Sequence, residues 1–399
     1  MNTADAVPMR TAGHRERAKA GAGSIFILAV AGFVIVTTEF LIIGLLPAIA
    51  RDLAISISTA GQLVTLFAFV VMLCGPFLTA WLSHLERRKL FVIILLIFAG
   101  SNALAAMAPN IWVLALARFI PALALPVFWG TASETAAKIA GHERAGRAVA
   151  MVYLGISAAM LFGIPVGTLA AEHMGWRAAF WLLTVLSLIS ALVLQWKLPR
   201  QQTTTRTSLL EQAKIFRNRF FVGNLVLSAL IFTANFTAYT YLADILESVA
   251  GIAPAHVGWW LMGFGVIGLV GNWLGGRWLD QYPLRVTAVF TVLLAIGMSL
   301  SMVLADQRGW FAVALALWGI ANTALYPICQ VRVMRAAPDA QALAGTLNAS
   351  SANAGIGLGA VVGGTTITAL GQGSLGYVAA GVAVLAVLAV PLVGRLSRW

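Results

Sequence analysis

Thr37-Thr38-Glu39-Phe40 sits inside an apolar run from Ser24 to about Ala50. That run is long enough to cross a bilayer, for which roughly 20 residues suffice. A carboxylate stranded at membrane depth is costly, and such a residue reads first as part of an ion or substrate pathway. Working outward from Glu39, the chain resolves into a bundle of membrane-spanning helices.

The composition requires this. Of 399 residues 60% are hydrophobic and only 10% charged, with a mean hydropathy of +0.90. A soluble domain carries roughly 25% charged residues, so this chain could not cover a water-facing surface. The formal net charge of +12 does not point to nucleic acid, because the basic residues are scattered through short loops rather than gathered on one face. Cys74 and Cys329 both lie in apolar runs, and no disulfide framework is expected. The first apolar stretch is longer than a signal-peptide core of roughly 7–15 residues, so it reads as an uncleaved span behind a basic tail.

Charges, Gly and Pro punctuate the chain into 12 predicted helices: 24–48, 58–82, 89–108, 111–138, 144–171, 176–196, 220–245, 256–279, 285–305, 308–333, 341–370 and 374–396. The one long polar segment, 198–219, separates a bundle over 24–197 from a second over 220–396, with 1–23 as the N-terminal tail. With the N-terminus inside, every Lys and Arg falls on the cytoplasmic side except Arg51, Arg177 and Arg308 outside and Arg118 within the membrane. That asymmetry predicts two cytoplasmic termini and a multi-pass inner-membrane protein. The halves echo each other. Thr37-Thr38-Glu39-Phe40 aligns with Thr233-Ala234-Asn235-Phe236, Gly61 with Gly258, and Leu125-Pro126 with Tyr326-Pro327. Two parallel six-span repeats place a binding site between them near the midplane.

The loop Thr79-Ala80-Trp81-Leu82-Ser83-His84-Leu85-Glu86-Arg87-Arg88-Lys89 and its sister Gly276-Arg277-Trp278-Leu279-Asp280-Gln281-Tyr282-Pro283-Leu284-Arg285 resemble the signature loop of major facilitator superfamily transporters. The first copy keeps the basic tail but has Thr79, Ser83 and Glu86 where that family has Gly, Asp and Gly. Together with Thr37-Thr38-Glu39-Phe40, Gly175-Trp176-Arg177-Ala178-Ala179-Phe180 and Gly163-Ile164-Pro165-Val166-Gly167, the chain resembles the 12-span drug:proton antiporter branch, and within it bacterial sugar-efflux and arabinose-efflux-like permeases. The resemblance implies an all-α fold of two pseudo-symmetric six-helix bundles and a monomeric carrier of a small molecule. It also implies state-dependent contacts from Arg87, Arg88, Lys89, Asp280 and Arg285.

Glu39 lies about 15 residues from Ser24, roughly 22 Å in, and Arg118 about seven residues from Ile111, roughly 10 Å from the opposite surface. In a hydrocarbon core of about 30 Å the two stand nearly level. Arg does not give up its proton, so any proton traffic falls to Glu39, with Arg118 tuning it. A static ion pair is the structural alternative. The second half offers neutral groups: Asn235, Tyr239, Asn322, Tyr326, Gln330, Asn348 and Asn353, which Gln62 and Trp129 could join. Amides and phenols beside aromatic faces suit a small polar or amphipathic ligand, and interhelical hydrogen bonding is the competing use. Glu134 reads as interfacial, while Asp244 and Glu247 read as solvated ends or gate contacts. No His lies at membrane depth. Gly355-Ile356-Gly357-Leu358-Gly359 and Gly263-Phe264-Gly265 follow no soluble strand, so they read as helix-packing glycines rather than nucleotide loops. No phosphate-loop string is present, which leaves an ion gradient or plain facilitation; with Glu39 in the membrane the expected energy source is the proton gradient, without a cofactor. The expected function is proton-coupled export of a sugar or drug-like molecule. Import by symport or uniport is the alternative within the class, and a membrane-embedded enzyme or receptor the alternative outside it.

Overall fold

The computed structural model describes residues 8–82, 84–141, 145–200, 214–279 and 281–396. Residues 1–7 of the tail, 201–213 of the linker and Asp280 lie outside them. Among the described residues there is no strand, and 12 helices are long and apolar enough to cross a membrane. They are α1 (Pro8–Asp52), α2 (Ile57–Leu82), α3 (Arg87–Ala106), α4 (Ile111–Ala140), α5 (145–174), α6 (Trp176–Lys197), α7 (Arg219–Val249), α8 (Pro254–Leu279), α9 (Pro283–Val303), α10 (Arg308–Arg335), α11 (Gln341–Leu370) and α12 (Leu375–Leu396). The expected spans are all present. The main difference is at α1, which extends the expected 24–48 segment back to Pro8 as one helix, its apolar part beginning at Gly23.

Local chemistry sets the ends. Asn110 caps α4, its Oδ1 accepting from the N–H groups of Trp112 and Val113 at 3.1 Å each, and Asn218 caps α7 through Phe221 N–H at 3.1 Å. Gly175 (φ 82°) and Gly371 (φ 84°) end α5 and α11 in the left-handed region, where glycine has no Cβ penalty. Interior prolines such as Pro47, Pro126 and Pro327 are tolerated because neighbouring helices re-satisfy the freed carbonyls.

Small residues then bring the helices together, since between membrane helices packing replaces the hydrophobic drive. A Cβ on Gly155 of α5 would strike Ala29 O and Phe33 N of α1. A Cβ on Gly355 of α11 would strike Ala229 O and Thr233 N of α7. The same contact thus recurs 200 residues on, which fixes the register of the repeat. On this register Glu39 faces Tyr239 across the pseudo-twofold, not Asn235, so the sequence alignment of the two halves was out by one helical turn. The reason is local. Thr-x-x-Phe occurs in both helices, and one turn of slip keeps an apolar helix in phase with itself.

The two bundles meet along two seams. α2 and α11 pack throughout their length, through Gly364 beside Ser58, Gly357 beside Phe69 and Gly75 beside Ser350. α5 and α8 pack only over their halves remote from the termini, where Gly258 abuts Leu169 and Gly265 abuts Leu161. Nearer the termini each turns to its own bundle: Gly155 packs on α1, and Gly271 and Gly275 on α10. The interface is therefore closed at the far face and parted along one seam toward the face that carries both termini.

Candidate functional site

Glu39 is buried midway along α1. Arg118, fully buried on α4, donates from Nη1 to the Thr38 carbonyl at 2.5 Å and from Nη2 to the Glu39 carbonyl at 2.6 Å. Its guanidinium also lies over the Phe67 ring at 4.4 Å. The contact between the two residues thus runs through the main chain of α1. Among the described residues the Glu39 carboxylate has no ion-pair partner within 4 Å and no hydrogen bond. Asn102 of α3, which the sequence reading passed over, donates to Thr38 Oγ1 at 3.1 Å, and Thr38 Oγ1 in turn donates to Val34 O at 2.9 Å. Two neighbouring helices, α3 and α4, therefore hold the Glu39 turn while leaving its carboxylate without a hydrogen bond among the described residues.

The second bundle answers with aromatic rings. Phe236 of α7 stands 6.0 Å from Phe40 of α1, between the bundles, 5.3 Å from Tyr239 and 6.5 Å from Phe232. Phe232 meets Tyr326 edge-on at 4.9 Å, and Tyr239 stacks on Phe264 at 5.7 Å. Among the described residues the Tyr239 hydroxyl meets Met160 Sδ, at 3.8 Å, within a π-helical turn of α5. The buried Tyr326 hydroxyl has no partner among the described residues. Tyr326 lies within electrostatic reach of both Tyr239 and Glu39.

The amides divide differently. Asn235 Nδ2 donates to Asn322 Oδ1 at 2.6 Å, and Trp318 Nε1 donates to Asn235 Oδ1 at 3.2 Å. Trp318 is fully buried and stands exactly where the register places the counterpart of Arg118, so each bundle ties its fourth helix to its first at the same depth. Asn348 Nδ2 donates to Gln330 Oε1 at 2.7 Å. Asn353 Nδ2 donates to its own helix at Ala349 O, leaving Oδ1 buried without a partner among the described residues. Trp129 packs 5.2 Å from Tyr153 in the first bundle. Gln62 is exposed on α2 beside Gly364, at the far-face closure and away from Asn322.

At the terminus-bearing face, Arg87 is buried and pairs with Glu134 at 2.6 Å, and Glu134 also holds Lys138 at 2.5 Å. Arg88 donates to Gln195 O at 3.4 Å, Lys89 is exposed, and Arg285 lies over the Tyr282 ring at 5.2 Å. Arg332, expected at the cytoplasmic end of the tenth span, is buried within α10. It donates to Ser228 Oγ at 2.8 Å, Asn224 O at 3.1 Å and Thr287 Oγ1 at 3.3 Å. Nothing in its flanking sequence distinguishes it from a loop arginine. At the far face Arg51 of α1 pairs with Glu247 of α7 at 2.5 Å, joining the two bundles. Asp52 ties α1 to α6 through Arg177 at 2.5 Å and Trp176 at 3.1 Å. Among the described residues no group of three His, Cys, Asp or Glu gathers to hold a metal.

Comparison with known proteins places this geometry. The family model described as Major Facilitator Superfamily matches residues 28–342 and again 225–398. The inner membrane transport protein YdhP of Escherichia coli (strain K12) is 34% identical over 372 residues, spanning 93% of this chain and 96% of that one. The MFS-type transporter YtbD of Bacillus subtilis (strain 168) is 31% identical over 358 residues, spanning 88% and 90%. Among solved structures, a bacterial homologue of the human lysosomal transporter Spinster, inward-facing and unoccupied, superposes with a TM-score of 0.80 at 15% identity over 94% of this chain and 97% of that one. A peptide transporter POT in complex with sulfate gives 0.72 at 14% identity, over 93% and 95%. The chain is a multi-span membrane transporter, not an enzyme, and it belongs to the Major Facilitator Superfamily.

Proposed function

We propose that this protein is a proton-coupled secondary transporter that exports a small molecule across the inner membrane by alternating access of its two bundles. The observation that carries the reading is the free carboxylate of Glu39. Arg118 is already committed to two carbonyls, so the charge of the cleft is left to a group that can be protonated. A carboxylate alternately reached by water from the two faces loads and releases a proton, because burial favours its neutral form and hydration its charged form. The inner-membrane location follows the names of the E. coli relatives and the basic-residue asymmetry, which also puts both termini in the cytoplasm. The units are 24–197 and 220–396, joined by 198–219, working as a monomer.

The substrate sits between Glu39 and the rings of Tyr239, Tyr326 and Phe236. Asn235 is bonded to both Asn322 and Trp318 and Asn348 Nδ2 to Gln330, which leaves the Oδ1 atoms of Asn348 and Asn353 as buried acceptors without a partner among the described residues. A polyol needs a partner for nearly every hydroxyl, and leaving such groups unmatched is penalised. The chamber therefore suits an amphipathic aromatic molecule better than a sugar. Arg87, Arg88, Lys89, Asp280 and Arg285 act at the cytoplasmic ends as contacts that differ between states.

The test is transport into inverted vesicles with an acidic interior, using proflavine and arabinose as probes. Wild type accumulates proflavine until the gradient is collapsed. Glu39→Gln folds but loses gradient-driven accumulation. Retained pH-driven flux in that variant removes the proposal, and arabinose uptake in place of proflavine overturns the substrate class alone.

A further inference from the structure

α8 and α10 press together over one half of their length and part over the other. At the crossing a Cβ on Gly319 would meet Phe264 O and Ile267 Cγ2 at 2.9 Å each, and toward the terminus-bearing face Gly268 and Gly271 lie against Thr323 and Ile320. On the far-face side the two helices diverge, and a cavity of about 420 Å³ opens between them. Small residues make it. A Cβ on Gly263 would find nothing within 4 Å, and Ala312 and Ala316 line the opposite side. Trp260, packed on Phe311 at 5.6 Å, and Phe264 complete the lining. Trp259 at the rim is 60% exposed, so the groove opens to the surrounding bilayer. Its back wall is shared with the central chamber, because the Phe264 ring also stacks on Tyr239 at 5.7 Å.

The mouth has a charge to offer. Arg308, Ala312 and Ala316 recur every four residues, which puts Arg308 on the stripe of α10 that lines the groove. Of the three far-face arginines, Arg51 pairs with Glu247 and Arg177 with Asp52. Arg308 is exposed and has no ion pair within 4 Å among the described residues, although Asp306 is only two positions away. The exposed His256 occupies the corresponding place on α8, one turn before Trp260. From Arg308 to the crossing at Gly319 the groove runs for about 11 residues, roughly 16 Å. That is about half of a roughly 30 Å hydrocarbon core, the depth of a single leaflet.

We propose that this groove is a binding site for an anionic phospholipid of the far-face leaflet, with one acyl chain along Gly263, Ala312 and Ala316 and the phosphate at Arg308. An apolar groove left empty forfeits the dispersion contacts of its lining, and a hydrocarbon chain is the filler a bilayer supplies. No charged residue lines the groove itself, so only the mouth discriminates between headgroups. The assignment goes beyond the transport reading and does not draw on Glu39.

The test uses nanodiscs of phosphatidylcholine that hold one copy of the protein each, with dibromostearoyl phosphatidylglycerol or dibromostearoyl phosphatidylcholine added as fluorescence quencher. The chain has 13 tryptophans, so the signal is the difference between the protein and its Trp259→Phe variant. Half-quenching should need about fivefold less of the phosphatidylglycerol, the ~1 kcal/mol that one arginine near an anionic surface contributes. Arg308→Gln should make the two lipids equal, and Gly263→Leu, which fills the groove, should also abolish the difference. Because Arg308 is exposed, its variant keeps the test decisive if Gly263→Leu folds poorly. Equal quenching by the two lipids in the unmodified protein overturns the site, as does a preference that survives in Arg308→Gln. Protection of Trp259 from both lipids in discs holding two copies would assign the groove to a second copy of this chain and overturn it as well. Quenching is read without substrate or gradient, so its failure leaves the transport reading untouched.

Discussion

Of the three buried arginines among the described residues, Arg87 pairs with a carboxylate, whereas Arg118 and Arg332 do without one. A guanidinium taken out of water needs its donors occupied, and Arg118 and Arg332 both find carbonyls or hydroxyls of the first helix of their own bundle. The planar fork is what lets Arg118 span two successive carbonyls, which an ammonium cannot do in one geometry. Arg118→Lys should therefore destabilise the protein by about 1.5–3 kcal/mol, the contribution of a hydrogen bond to a charged group, read as a fall in midpoint of a thermal unfolding curve in detergent. Glu39→Gln, which touches neither carbonyl, should leave that midpoint nearly unchanged while removing proton-driven flux. The contrast separates the arginine's anchoring from the acid's coupling. Both residues stood out in the sequence, because a charge inside an apolar run is conspicuous. Their mode of contact did not, because main-chain acceptors carry no residue label.

Between helices, the controlling residues are glycines at crossings. Gly271 of α8 lies against the main chain of Ile320 on α10, and Gly297 of α9 against the main chain of Trp318. A methyl group meets a helix backbone at either site, and a backbone yields less readily than a side-chain end. Gly271→Ala should destabilise by about 1–3 kcal/mol, the usual range for overpacking, whereas Gly263→Ala on the same helix, where nothing lies within 4 Å, should be close to neutral. Midpoints of thermal unfolding compare the pair. The glycine runs were recognisable as packing motifs from composition and context. Which glycine faces which helix was not, because a moment that is weak on an all-apolar helix assigns no inward face, as the one-turn slip between Glu39 and Asn235 illustrates.

Across the whole molecule, the number of spans, the two bundles and the pseudo-symmetry were legible because bilayer thickness and the positions of charges constrain them strongly. The state of the interface was not, because a single sequence serves every state of a carrier. The far-face closure makes a sharp prediction. A Cβ on Gly364 would lie 2.7 Å from Ser58 Oγ, so the two positions adjoin, as a disulfide with its β-carbons roughly 3.5–4.5 Å apart requires. The double variant Ser58→Cys/Gly364→Cys should cross-link on oxidation, arrest transport, and recover it on reduction; transport that continues with the bridge formed would rule out opening at that face.

The unequal seams have a further consequence. One long edge of the cleft, α2 against α11, is shut from end to end, and the other, α5 against α8, is shut only halfway. Toward the termini the vestibule is thus a slot with a lateral window rather than a round well. Such an aperture sieves cargo by thickness across the slot and is indifferent to a trailing chain that can hang out sideways among the lipid tails. In a homologous series with one flat headgroup, lengthening the alkyl tail should leave turnover nearly constant, while thickening the head should end it.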